Sequence, residues 1–200
     1  MKKAILLYLG YVVVATIIQG CCGNANCISY VELKNGLLRV KINGVYQQTG
    51  SYSTTVDTLD MQMDFTREFI AYEQPRVQLM NSAYATKCDM CENGERGLKD
   101  KIKTILLTSN QAYLGSPAGN SLNNLFKFYD VATGNITPRL IPLDSLGFFM
   151  NRGHNRINLA PVRMASGTKP GNGLPHTLNI RFEFESGKIV NAVSPEFSWN

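Results

Sequence analysis

Three groups of residues have types and spacings that could do chemistry. Cys88-Asp89-Met90-Cys91 is a Cys-x-x-Cys pair, a spacing that serves as a thioredoxin-like redox site, as half of a zinc site or as part of a structural disulfide set. Redox work needs one thiol acidified by a helix N-terminus or a cation, whereas Asp89, Glu92 and Glu95 surround this pair and raise a thiol pKa. Zinc would need two further ligands, which Cys22 and Cys27 could supply. The acidic setting favours the disulfide set. Arg152-Gly153-His154-Asn155-Arg156 is the second group. Arg152, His154 and Arg156 could form a ligand loop that holds a phosphate, carboxylate or acidic glycan through bidentate guanidinium contacts; a solvated turn is the plainer reading. Asp57, Asp60 and Asp64 are the third, but they lack the loop spacing of an EF-hand and read as the wet face of a strand. With no catalytic motif among them, the expectation is a chain that is not an enzyme and takes no metal in its fold.

The segment that decides where these groups sit in the cell is Met1 to Cys27. Lys2 and Lys3 precede an apolar run from Ala4 to Ile18, the outline of an export signal. The run is shorter than the roughly 20 residues of a permanent membrane span. No Ala-x-Ala cleavage triplet stands before Cys21; Ile18-Gln19-Gly20-Cys21 instead resembles the lipobox of bacterial lipoprotein precursors, with Gln19 in the place of the preferred small residue. The resemblance implies removal of residues 1–20 and a diacylglycerol and N-acyl lipid on Cys21, the only cofactor-like group expected. Each buried CH2 of such a chain contributes about 0.8 kcal/mol to membrane attachment. Residues 21–27 then form a membrane-proximal tail, and residues 28–200 a single domain.

Five cysteines occur, and lipidation of Cys21 leaves an even set of four, Cys22, Cys27, Cys88 and Cys91. In an oxidising compartment these are disulfide candidates with three possible pairings. Joining the tail to the Cys88–Cys91 loop would restrict the unfolded chain most. Loss of Lys2 and Lys3 lowers a formal charge of +5 by two, too mild an excess to indicate nucleic acid in the absence of a basic helix or zinc-finger spacing.

After Cys27 the chain reads as antiparallel sheet. Val31 and Leu33 alternate with Tyr30, Glu32 and Lys34; Leu38, Val40 and Ile42 alternate with Arg39 and Lys41. Asn35-Gly36 between the two runs predicts a type I′ hairpin, and Asn43-Gly44 a second, so that three short strands open the domain. Gly50 to Asp57 is either strand or connection. Leu59, Met61, Met63 and Phe65 define a half-buried strand. Ile105-Leu106-Leu107 predicts a central strand buried on both faces, Leu122 to Phe126 a helical turn, and Phe126 to Val131 a strand. Pro138 and Pro142 mark an edge. Arg156 to Val162 reads as a strand ending at Pro161, and Gly167 to Pro175 as a loop. Leu178, Ile180, Phe182 and Phe184 form the cleanest strand, opened by His176 as a strand-end residue, and Ser186-Gly187 turns the chain into Lys188 to Val193. Many short alternating strands imply a mostly β fold, an antiparallel two-sheet sandwich, immunoglobulin-like or related, with one or two short helical turns and an N-terminal signal helix.

The mature chain also resembles lipoproteins of Bacteroidetes-type bacteria. The residues concerned are Cys21 with Cys27, Tyr84-Ala85, Lys101-Ile102-Lys103, Thr108-Ser109-Asn110, Pro117-Ala118-Gly119, and His176 ahead of Ser186-Gly187. The resemblance implies a lipid-anchored β-rich domain and carries over no catalytic residue. Asp57-Thr58-Leu59 and Asp144-Ser145-Leu146 look like that phylum's O-glycosylation triplet, with Thr58 and Ser145 as acceptors. Gly23-Asn24-Ala25-Asn26 lacks the acidic run of surface-exported lipoproteins, which favours the periplasmic face of the outer membrane. The function expected is a non-enzymatic binding or structural module with an envelope protein or glycan partner. The alternatives are an envelope redox or metal protein using Cys88 and Cys91, or a surface-filament subunit that lends an edge strand to its neighbour.

Thiol titration of the exported protein checks the cysteine assignment. No reactive thiol is expected before reduction and four after it; free Cys88 and Cys91 in the unreduced protein would sink the disulfide reading.

Overall fold

The computed structural model describes residues 30–70, 97–130, 139–152, 161–170 and 173–199. Alternation of apolar and polar residues becomes eleven strands among them: β1 Tyr30–Ile42, β2 Val45–Gln47, β3 Ser51–Thr54, β4 Leu59–Ile70, β5 Ile102–Ser109, β6 Phe126–Asp130, β7 Arg139–Pro142, β8 Val162–Ser166, β9 Leu178–Phe184, β10 Ile189–Val193 and β11 Glu196–Trp199. Among the described residues one α-helix, α1, spans Leu146–Asn151, and 3-10 turns cover Asn123–Leu125 and Leu143–Ser145. A six-stranded sheet runs β2-β1-β4-β8-β6-β7 and a three-stranded sheet β10-β9-β5, with every neighbouring pair antiparallel.

The two sheets bury their apolar faces in one core, as the period of two requires. Val40, Met61, Met164 and Phe128 come from the larger sheet and Ile105, Leu107, Ile180, Phe182 and Val190 from the smaller. Burying each of these side chains contributes about 1.5–3 kcal/mol. Phe65 of β4 meets Phe182 of β9 edge-to-face with centroids 5.1 Å apart, worth about 0.5–1.5 kcal/mol beyond the area it buries. The fold is therefore mostly β and sandwich-like.

One pair departs from the antiparallel expectation. The stretch from Gly50 to Asp57, open between strand and connection, contains β3, which pairs in parallel with β11, Tyr52 opposite Phe197 and Thr54 opposite Trp199. These segments are joined by the whole domain rather than by a tight turn, so no hairpin dictates their direction. The Trp199 indole N–H donates to the Val56 carbonyl at 3.0 Å and seals this end.

The expected hairpin at Asn35-Gly36 is absent. β1 is a single 13-residue strand that pairs along its length with β4, with a register shift between Leu33 and Asn35. A bulge with Lys34 as the extra residue switches the inward face from Val31 and Leu33 to Leu38, Val40 and Ile42, and an inserted residue resets alternation just as a two-residue turn would. The real hairpin is at Asn43-Gly44, whose φ values of 49° and 85° suit the type I′ turn between Ile42 and Val45.

Gly36 lies against the second sheet. A Cβ there would stand 2.6 Å from Met63 Cε, 2.9 Å from Ala192 Cβ and 3.2 Å from the Asn191 carbonyl oxygen. Beside it the Lys188 ammonium donates to the Glu32 carboxylate at 2.7 Å and to the Leu33 carbonyl at 2.6 Å, tying β10's approach to the bulge of β1.

The expectation of a central strand at Ile105-Leu106-Leu107 is also corrected. β5 is an edge of the three-stranded sheet, with Leu106 half-buried on its outer side. Side chains replace the missing strand. Asn123 accepts from the Leu107 N–H at 2.9 Å and donates to the Ile105 carbonyl at 2.8 Å; Asn151 does the same for both backbone groups of Ile102, each at 2.8 Å. The Leu122 and Gly119 N–H groups complete the edge on the Leu107 and Ser109 carbonyls. An edge so occupied offers no free ladder to another chain.

The strand placed between Arg156 and Val162 is corrected in the part that is described. Pro161 ends no strand; it precedes β8, where Val162, Met164 and Ser166 face inward. A proline just before a strand costs it no ladder bond. Pro142 closes the edge strand β7, as its residue type predicts.

Gly36→Ala should destabilise the protein by about 1–3 kcal/mol through overpacking, read as a lower urea midpoint. Ala192→Gly in the same chain should recover part of the loss. An unchanged midpoint in Gly36→Ala would mean that the sheets do not depend on this contact.

Candidate functional site

Two polar constellations emerge once the strands are in register. The first is enclosed. His176 forms a backbone bridge with Phe197, exchanging N–H to carbonyl bonds of 2.7 and 2.9 Å, and its ring sits edge-on to Tyr113 and Trp199 at 5.5 and 5.4 Å. Its Nδ1 shares a hydrogen bond of 3.0 Å with Ser109 Oγ, which also accepts from the Gln111 N–H. The Tyr113 hydroxyl lies 3.4 Å from Ser166 Oγ and 3.3 Å from the Thr168 carbonyl. A serine and an imidazole at this distance resemble a nucleophile and its base. Yet Ser109 is 3% exposed and His176 0%, so a substrate has no approach to either. Burial pushes the His176 imidazole below its ordinary pKa and the Tyr113 phenol above its own. The cluster pins the loop after β5 to the start of β9 and to β11.

The second constellation is open and covers the outer face of the six-stranded sheet. Side chains of alternate residues line up across the strands. One row runs Arg39, Gln62, Arg163 over β1, β4 and β8, and a second runs Asp60, Ala165, Lys127 over β4, β8 and β6. Lys41 stands opposite Tyr46 at the β2 side. Asp60 gathers the centre: it accepts from Arg163 Nη2 at 3.0 Å and from the Tyr46 hydroxyl at 3.1 Å, with the Lys41 ammonium at 3.8 Å. Arg163 Nε donates to the Tyr46 hydroxyl at 3.2 Å, and its guanidinium lies 5.0 Å from the centroid of the Tyr129 ring. Burial lowers the proton affinity of Arg163, but its bonds to Asp60 and Tyr46 outweigh that and leave its pKa raised. Tyr46 is raised by burial first and by the Asp60 charge second. Arg39, Lys41, Lys127 and Arg163 therefore share this face with two carboxylates, Asp60 and Asp64, the second of which is held by Arg67 at 3.1 Å. Among the described residues no ion pair involves Arg39 or Lys127.

Most residues singled out by the sequence lie elsewhere. Cys21, Cys22, Cys27, Cys88, Cys91, His154 and Arg156 fall outside the described residues. Arg152, just beyond α1, has its guanidinium 5.3 Å from the centroid of the exposed Phe148 ring. Thr58 is exposed just before β4; Ser145 is half-buried at the start of α1, and its neighbour Asp144 accepts from Asn123 at 2.8 Å. Asp57, Asp60 and Asp64 do not converge: each has its own cation, Lys169, Arg163 and Arg67 respectively. Among the described residues no three His, Cys, Asp or Glu groups could hold a metal ion, and no helix is long and apolar enough to cross a membrane.

Compared with protein-family models, with curated proteins and with solved structures, the chain matches none. Its functional reading rests on its own residues. Arg39, Lys41, Gln62 and Tyr129 lay on strands expected from sequence, but nothing marked them as one surface. Arg163 was missed with β8 itself. The available signal was the set of long polar or aromatic side chains at the outward positions Arg39, Lys41, Asp60, Gln62, Lys127 and Tyr129 of strands already legible.

The buried imidazole sets a pH dependence. His176 titrates near 6.5 when unfolded and lower when folded, so the unfolded chain takes up the proton first. Its contribution is fully present above about pH 6.5 and is lost progressively as pH falls toward the folded value. Urea unfolding at pH 7.5 and 5.5 should show a drop in midpoint that His176→Gln reduces. An equal drop in both proteins would assign the effect to other groups.

Proposed function

We propose that this chain is a lipid-anchored envelope protein whose folded domain is a non-enzymatic binding module facing the periplasm. The observation that carries the binding role is the outer face of the six-stranded sheet, where Arg39, Lys127, Arg163 and Tyr46 occupy outward positions across successive strands. Neighbouring strands fix the backbone positions from which these side chains reach, and the bonds of Arg163 to Asp60 and Tyr46 hold its guanidinium before a ligand arrives. The reactive pair that could suggest catalysis, Ser109 and His176, is enclosed and is used in packing. The anchoring role rests on Lys2, Lys3, the apolar run and Ile18-Gln19-Gly20-Cys21. Export to a membrane surface suits a domain that captures a ligand from solution, since one acyl chain holds only marginally and several hold stably.

Intact-mass and acyl-chain measurement of the mature protein checks the anchor. The expected product begins at Cys21 and carries diacylglycerol and an N-acyl chain. Cys21→Ala should abolish the lipid and release the protein from the membrane fraction. A mature chain that retains Met1, or one that begins at an unlipidated residue, would overturn the anchored reading.

A further inference from the structure

We infer that the outer face of the six-stranded sheet binds an acidic polysaccharide, a linear glycan that bears carboxylates at intervals along its chain. The inference rests on the binding-module reading and names the ligand class of that same face. Charge complementarity is the first support. Arg39, Lys41, Lys127 and Arg163 face outward beside two acids, Asp60, which Arg163 holds, and Asp64, which Arg67 holds, and Arg39 and Lys127 enter no ion pair among the described residues. A guanidinium left in this condition is a fork for a carboxylate.

Spacing is the second support. Arg39 and Arg163 lie two strands apart in one row, roughly 10 Å at the ordinary interstrand distance. Duplex DNA presents one charge per about 1.7 Å of axis, far denser than these cations can follow. An anionic bilayer is met by clusters of basic residues with apolar side chains beside them, whereas here Asp60 sits at the centre and would repel closely packed phosphates. A polymer with one carboxylate per sugar carries charge more sparsely than DNA, and two of its carboxylates can reach Arg39 and Arg163 across an intervening sugar. Gln62, between Arg39 and Arg163 in the same row, offers a donor and an acceptor to the hydroxyls of the intervening sugar.

The test uses the full mature protein in detergent and measures binding to immobilised polygalacturonate, with dextran, duplex DNA and phosphatidylglycerol vesicles as parallel probes. Retention on polygalacturonate that falls with salt, and none on dextran, is expected. Arg39→Gln with Lys127→Gln should weaken that binding by roughly tenfold or more while leaving the thermal midpoint unchanged. Arg181→Gln, which removes a charge from the outer face of the other sheet, should leave binding intact. Loss with Arg181→Gln equal to that with a single substitution at Arg39 would overturn the site as a consequence of net charge alone. Retention on DNA or vesicles in place of polygalacturonate, abolished by the double variant, would overturn the ligand class while the face remained a binding site. Retention by none of the probes would overturn the face together with its ligand.

Discussion

The contact between Gly36 and the strand β10 is the constraint on which the rest of the structure depends. A sandwich needs its two sheets to close at one corner, and here the long strand β1 passes the edge of β10 closely enough that no side chain fits between Gly36 and Ala192. The bulge at Lys34 makes this possible by bending β1 and exchanging its inward face midway. Lys188 fixes the corner from the other side, reaching Glu32 and the Leu33 carbonyl at once. Its hydrogen bond, with a smaller one from Lys34, holds the Glu32 carboxyl below its usual pKa. With β1 so placed, Leu38 and Val40 point to the core, and Arg39 and Lys41 are left on the outside.

That division links packing to function. The inner rows of the six-stranded sheet are mostly apolar, with Ser166 and Asp130 as buried polar members, and they hold the strands in a register that also aligns the outer residues with their neighbours. Gln62 sits between Arg39 and Arg163 because Met61 and Met63 sit among Val40, Leu38 and Met164. A one-residue slip would turn both sets over. The smaller sheet serves the same end differently: its free edge at β5 is occupied by Asn123 and Asn151, so the domain keeps an edge strand without exposing a ladder to other chains. This weighs against β5 as the edge lent to a filament neighbour.

How much could be read beforehand varies by element for physical reasons. β4 and β9 were legible because Leu59 to Phe65 and Leu178 to Phe184 alternate without interruption, and Gly187, with φ at 85°, marks the turn after β9. The bulge in β1 reads as a hairpin in the sequence because an inserted residue and a two-residue turn leave the same trace in alternation, and Asn35-Gly36 is turn-like by composition. The apolar run of β5 reads as central because it says nothing of who satisfies its backbone, and here the partners are amide side chains 16 and 49 residues away. The outer face was invisible as a unit: Arg163 meets Asp60 across 103 residues, and no local pattern encodes that pairing.

By itself the sequence determined the period of each strong strand, which side of it turns inward, and the Asn43-Gly44 turn, because alternation and positive-φ chemistry are local properties. The reading of Met1 to Cys27 as an export and lipidation signal likewise belongs to the sequence. Only the tertiary structure decided the order of the strands, the enclosure of Ser109 and His176, and the gathering of Arg163, Tyr46 and Lys41 around Asp60. Those depend on which strands become neighbours, and neighbours are chosen by burying the core as a whole.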